Sequence, residues 1–256
     1  MVAKARKIDN ASLRAAVPTD GILLHDISWD LYESLLRTTE EQHVRMTYDR
    51  GDLEIVPALL HDISWRLYEE LLQATEDQHI RMTYDRGDLE LMSPLPRHEK
   101  YKVLVRILIE ELARELDMDI VCFGSMTCKR EDLVRGLEPD ECYYIAKAKV
   151  MWKKLDIDFS IDPPPDLAVE IDVTSNSLDR HGIYAALGVP ELWRYNGSTL
   201  RVYHLIKGKY VLKKKSSAFP HVPIDGFESF IKTWDSFSQR EWLDKFREWV
   251  RTNRKK

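Results

Sequence analysis

Sulfur is scarce in this sequence: its 256 residues hold three cysteines, Cys122, Cys128 and Cys142. No two are spaced as Cys-x-x-Cys and an odd number cannot all pair as disulfides, so reduced thiols in a cytoplasm are the plain reading. Glycine is sparse as well, at 10 residues. No Gly-x-x-x-x-Gly-Lys-Ser/Thr loop cradles a nucleotide phosphate, and no nucleotide cofactor is expected. The Gly-x-Ser-x-Gly elbow of a serine hydrolase is missing around Ser175 and Ser177. Histidines such as His25, His61, His98 and His181 are scattered, without the spacing that zinc requires. Long apolar runs are lacking too. Val103-Leu104-Val105 and Ile107-Leu108-Ile109 are broken by charge, far short of the roughly 20 residues of a bilayer span, so no membrane association is expected. Met1 to Lys7 is basic with no apolar stretch after it, which argues against a secretory leader and for a cytoplasmic protein.

What is present is the composition of a globular chain, with 44% hydrophobic and 32% charged residues. That excludes collagen-like and disordered classes. The formal net charge is −5, from 38 Lys+Arg against 43 Asp+Glu. Such a balance argues against a protein that coats nucleic acid by charge alone. It does not argue against an enzyme whose carboxylates hold a cation. Basic residues cluster locally, at Arg201, Lys207, Lys209, Lys213, Lys214 and Lys215, and in the tail from Arg251 to Lys256. The plain reading is solvated surface; the alternative is phosphate contact.

An internal repeat dominates the N-terminal third. Leu23 to Val56 recurs 36 residues later as Leu59 to Met92, with 26 of 34 positions identical. Two units are too few for a solenoid. The second copy reads as the start of the domain and the first as an additional module. In each, Ser28 or Ser64 is a good N-cap for a Trp-x-x-Tyr-x-x-Leu-Leu helical stripe. Two short strands then turn at Asp-Arg-Gly. A helix with a hairpin cannot bury its apolar face alone. The first copy must therefore pack on the domain, pair with another subunit or stay mobile.

Beyond the repeat, Pro96 opens a long amphipathic helix over 97–118. Strands are expected over 119–123, 126–131, 141–145, 166–173, 191–195, 199–205 and 209–213. Helices are expected over 177–187, closed by Gly188, and over 234–250. Residues 147–154 read equally as loop or helix. Strands and helices mix without strict alternation, which predicts an α/β fold with a mixed β-sheet flanked by helices. The organisation read from this is a tail (1–21), an extra helix-hairpin copy (22–57), one main domain (58–235) and a basic C-terminal helix (236–256).

Strand alternation sharpens the chemistry. Ala168, Glu170 and Asp172 fall on one face of the 166–173 strand, and Val169, Ile171 and Val173 on the other. Two carboxylates on one face of an apolar strand are costly if buried without partners. The bland readings are a buried ion pair with an arginine such as Arg180, or a solvent-facing edge strand. The functional reading is a metal or catalytic site, since Mg²⁺ takes oxygen ligands from one or two carboxylates. Asp140, after Pro139, is then a natural second ligand, and Glu99, in the first turn of the long helix, a third.

Pro139-Asp140, followed roughly thirty residues later by Glu170, resembles the core of the PD-(D/E)XK nucleases. The fuller set resembles the Uma-two family of restriction-endonuclease-like proteins. It comprises Met92-Ser-Pro-Leu-Pro-Arg-His-Glu99, Gly136-Leu-Glu-Pro-Asp140, the run from Pro164 to Ser175, and the run from Ile183 to Arg194. The likeness covers residues 59–235. It implies a restriction-endonuclease-like fold and hydrolysis of DNA phosphodiester bonds dependent on Mg²⁺, with Mn²⁺ as a substitute. Glu99, Asp140 and Glu170 would hold the metal, the Ile171 carbonyl adding a ligand. A homodimer is expected of the class, because cutting both strands takes two sites. One departure stands out: the motif's lysine belongs two residues after Glu170, where this chain has Asp172. The resemblance moves the positive charge to Arg180, which stays protonated and so cannot be a base, but orients water or neutralises phosphate. Asp172 either adds a ligand or base or marks an impaired site. The alternative function is a catalytically impaired nuclease fold that binds DNA or protein.

Overall fold

The computed structural model describes residues 21–173 and 178–254. The basic N-terminus, Ser175, Ser177 and the terminal Lys255-Lys256 lie outside them. Both repeat copies fold alike. The first runs β1 (Ile22–Leu24), α1 (Trp29–Thr38), β2 (Arg45–Asp49) and β3 (Asp52–Val56). The second runs β4 (Leu59–Leu60), α2 (Trp65–Ala74), β5 (Arg81–Asp85) and β6 (Asp88–Met92). Ser28 and Ser64 cap as expected, each hydroxyl accepting an N–H three residues on, from Leu31 and Leu67, at 3.2 Å. Each hairpin turns on two residues of positive φ, Arg50-Gly51 (50° and 102°) and Arg86-Gly87 (50° and 105°). That is the two-residue turn whose twist suits paired strands, and glycine makes its second position cheap.

The chain continues through α3 (Pro96–Glu115), β7 (Val121–Cys122), β8 (Cys128–Arg130), β9 (Arg135–Leu137), β10 (Glu141–Tyr144), α4 (Ala148–Met151) and β11 (Leu167–Ile171). It ends with α5 (Arg180–Leu187), β12 (Glu191–Tyr195), β13 (Leu200–Ile206), β14 (Lys209–Lys213), α6 (Ile224–Lys232) and α7 (Gln239–Asn253). Among the described residues three sheets result, ordered β1-β3-β2, β4-β6-β5-β9-β8 and β14-β13-β12-β11-β10-β7. In the last, β11 and β12 run parallel while the other pairs are antiparallel. A parallel pair needs a crossover, and α5 supplies it.

The alternation along β11 is as expected. Val169 and Ile171 enter a core with Leu104 and Leu108 of α3, Phe227 of α6 and Trp242 and Phe246 of α7. Ala168 faces the other way, into a core with Ile183, Tyr184 and Leu187 of α5 and Leu137 of β9. The repeat copies pool a third core, in which Leu24, Leu35, Leu53 and Ile55 meet Leu60, Leu71, Leu89 and Leu91. The first copy thus packs on the rest of the chain, one of the three outcomes open at the sequence level.

Two local expectations are corrected. The last helix starts at Gln239, not Trp234, because Ser238 and Glu241 close a capping box there. A separate helix, α6, precedes it, and Thr233 ends that helix. Among the described residues no helix is long and apolar enough to cross a membrane.

Candidate active site

Asp140 sits between β9 and β10 and is clamped to β11. Its N–H donates to the Val169 carbonyl (3.2 Å) and its Oδ2 accepts the Ile171 N–H at 2.5 Å. These two backbone contacts fix its carboxylate at the end of β11, beside Glu170. Asp140 is 1% exposed and Glu170 2%. The start of α3 supplies the neighbouring groups. Pro96 opens the helix, which places buried His98 and half-exposed Glu99 in its first turn. His98 Nε2 lies 3.0 Å from Asp140 Oδ2, and its Nδ1 lies 3.3 Å from Glu99 Oε1.

The remaining partner is one the sequence reading leaves unassigned. Arg81, the first residue of β5, reaches into this cluster with a nearly buried side chain. Its Nη1 is in direct ionic contact with Asp140 Oδ1, and its Nη2 donates to Glu99 Oε1 at 3.3 Å. Lys102, one turn along α3, donates to Glu99 Oε2, also at 3.3 Å. Glu170 faces away toward α5, where Arg180 Nη1 donates to its Oε2 at 2.6 Å and the Tyr184 hydroxyl donates to its Oε1. Asp172 pairs with another arginine: its Oδ2 accepts from Arg194 Nε on β12 at 2.6 Å, and Arg194 Nη1 in turn donates to His181 Nδ1 at 3.1 Å. The structure therefore brings Glu99 and Asp140 together through Arg81, pairs Glu170 with Arg180, and pairs Asp172 with Arg194.

Electrostatics follow from burial. Burial and the charge of Arg81 hold His98 below its ordinary value, against the opposing pull of Glu99. Burial pushes Glu99 up, yet the charges of Lys102 and Arg81 outweigh it and leave that carboxyl below its usual range. Burial lowers Arg81 against the pull of Glu99 and Glu170. For Arg180 the balance reverses: burial is the largest influence and lowers it, but Glu170 together with Tyr184, Glu90 and Asp172 more than compensates. Glu138, just upstream of Pro139, is another acid the sequence reading leaves aside. The Met82 N–H and the Thr127 hydroxyl donate to its two oxygens, and burial raises its pKa.

Mg²⁺ is the group the sequence leads one to test here. The donor chemistry is right, being all carboxylate oxygen. The geometry is not: among the described residues no three His, Cys, Asp or Glu side chains converge as a metal cluster. Guanidinium groups stand where a cation would, Arg81 between Asp140 and Glu99 and Arg180 against Glu170. In this arrangement the residues do not fit a divalent ion. A cleft of about 1070 Å³ opens over Arg81 and Glu99, with Lys102, Ser125, Thr127, Lys129 and Glu138 also on its wall.

A mixed-sheet α/β chain with a buried acid–arginine cluster at the end of its parallel strand pair is the class this fold and site define. The chain belongs to the Uma2 family, described as putative restriction endonuclease, whose model matches residues 65–230. It is also similar to a solved structure, that of a putative nuclease from Anabaena variabilis. That likeness has a TM-score of 0.38 at 16% identity and covers 63% of this chain and 90% of that one. No curated protein matches.

Proposed function

We propose that this chain is an endonuclease acting on DNA phosphodiester bonds, with the neighbouring acids Asp140 and Glu170 at its reacting centre. The observation behind this is that both carboxylates are buried at the end of β11, with Arg81 in electrostatic reach of both at the floor of the cleft. Lys102 and Lys129 on the cleft wall, paired there with Glu99 and Glu69, are this reading's contacts for a backbone phosphate. His98 Nε2, 3.0 Å from Asp140 Oδ2, helps to fix that oxygen's orientation. Arg180 is buried and pairs with Glu170 through Nη1, so in this reading it sets that carboxylate's position and charge rather than touching substrate. Glu99, Asp140 and Glu170 would be the metal-holding set of this proposal only if both guanidinium groups moved, Arg81 away from Asp140 and Glu99 and Arg180 away from Glu170.

The same two arginines favour a second reading, a binding module whose acids are permanently neutralised. Calorimetric titration with Mn²⁺ and cleavage of supercoiled plasmid separate the two, for wild type, Asp140→Asn and Arg81→Met. A nuclease cuts with Mn²⁺ or Mg²⁺, and Asp140→Asn abolishes both the cutting and the binding heat. Retention of plasmid in a gel with no cutting and no Mn²⁺ heat, in wild type and Arg81→Met alike, would establish the binding module instead.

A further inference from the structure

The contacts between the two repeat copies have a symmetry that packing alone does not demand. The Gln78 side chain accepts the His25 N–H (2.9 Å) and donates to the His25 carbonyl (2.7 Å). The Gln42 side chain accepts the His61 N–H (2.9 Å) and donates to the His61 carbonyl (2.7 Å). His25 and His61 are equivalent positions of the repeat, as are Gln42 and Gln78. Residue i of the first copy thus meets residue j of the second, while j of the first meets i of the second, at matching distances. Helices α1 and α2 lie against each other between these bridges, over the pooled core of Leu24, Leu35, Leu60 and Leu71. Reciprocal contacts of equivalent residues across a shared apolar core are the signature of an isologous, two-fold interface.

We infer that residues 21–57 stand in, within the chain, for a second subunit: the face of the second copy is a self-pairing face, and the first copy occupies it in cis. The near-identity of the copies is what allows this, because a self-complementary patch accepts any segment bearing the same patch. The remaining edge of the pseudo-dimer differs between its halves. On the second copy β5 pairs with β9 as well as β6, whereas on the first β2 is an edge strand that pairs with β3 alone among the described residues. Only one half therefore carries the acid–arginine cluster. With its pairing face closed, the chain is a monomer through this surface. The homodimer expected of the class is replaced here by an internal partner that brings no second site.

Two measurements test this, and neither depends on nuclease activity. Light scattering after size exclusion should give a single chain of 30.1 kDa for the full protein. A chain lacking residues 1–57 should show twice its own mass, and adding a peptide of residues 21–57 should return it to a one-to-one complex. A folded, monomeric deletion chain would overturn the inference. Should the deletion chain fail to fold, a cross-link in the full chain decides. With His25→Cys and Gln78→Cys joined by a short bis-maleimide, the product should run as one chain. A covalent two-chain product through that pair would mean the copies meet between molecules, and would sink the idea.

Discussion

The Glu170–Arg180 pair makes the sharpest test of how the site is built, because the two readings of Glu170 predict opposite signs. Both side chains are almost without solvent, 2.6 Å apart, and Tyr184 adds a hydroxyl donor to the same carboxylate. Glu170→Ala leaves the Arg180 guanidinium charged in the interior and removes the acceptor of the Tyr184 hydroxyl. Breaking one side of a buried pair costs about 3–5 kcal/mol. For a chain of this size each kcal/mol moves the midpoint by roughly 2–4 °C, so a drop on the order of 10 °C is expected. Urea unfolding followed by tryptophan fluorescence, without added metal, reads the loss directly. Replacing both partners, Glu170→Met with Arg180→Met, should cost less than Glu170→Ala alone, since no buried charge is left over. Were Glu170 part of an open acidic cluster, its removal would relieve repulsion and the metal-free protein would become more stable. A Glu170→Ala variant as stable as wild type, or more so, refutes the pairing described here.

Three further outcomes are expected. His98 is held below its ordinary value of 6.5, so the unfolded chain binds the extra proton first and stability should fall as pH drops from about 6.5 toward the lower folded value; thermal melts across this window should show the slope in wild type and its absence in His98→Gln. The Tyr68 hydroxyl is buried without a hydrogen-bond partner among the described residues, so Tyr68→Phe should stabilise the protein by about 1 kcal/mol, and a loss in urea unfolding would show that a partner had been missed. Tyr48 and Tyr84 are repeat equivalents whose hydroxyls donate to the carbonyls of Ile27 and Ile63, but only Tyr84 is fully buried. Tyr84→Phe should cost about 1–2 kcal/mol and Tyr48→Phe less; equal losses would contradict the difference in burial.

Much of the fold was legible because its signals are local. Ser28, Ser64, Pro96 and Gly188 mark helix ends by backbone chemistry that acts within one turn. The alternation of β11 was readable because each of its residues falls on one of two opposed faces. What escaped notice depends on tertiary context. β9 is three residues long and exists because β5 and β8 pair on either side of it. Arg81 escaped for a more specific reason. Arg-Met-Thr-Tyr-Asp occurs twice, and in β2 the outward residues Arg45, Thr47 and Asp49 are exposed, while in β5 the strand is almost wholly buried. The same five residues are a surface strand in one copy and the floor of the site in the other. Only the downstream chain distinguishes them: β6 leads within three residues into α3, which brings His98 and Glu99 to Arg81. Carboxylates on an apolar strand announced that partners were needed, but not whether these would be cations or guanidinium groups.

That doubled pentapeptide also poses a problem of assembly. When β9 seeks a neighbour during folding, β2 and β5 offer the same side chains and the same row of backbone donors and acceptors. Local chemistry cannot rank them, and mistaken pairing between like segments is a characteristic failure of repeat-bearing chains. Connectivity breaks the tie. In the second copy β5 reaches β9 through residues 86–134, while β2 of the first must close a loop 36 residues longer, at a modest entropic penalty. Because that penalty grows only slowly with loop length, the exchanged topology is a near neighbour of the native one. Refolding from urea is therefore where this chain should stray, and drift that makes the two copies less alike should speed its return.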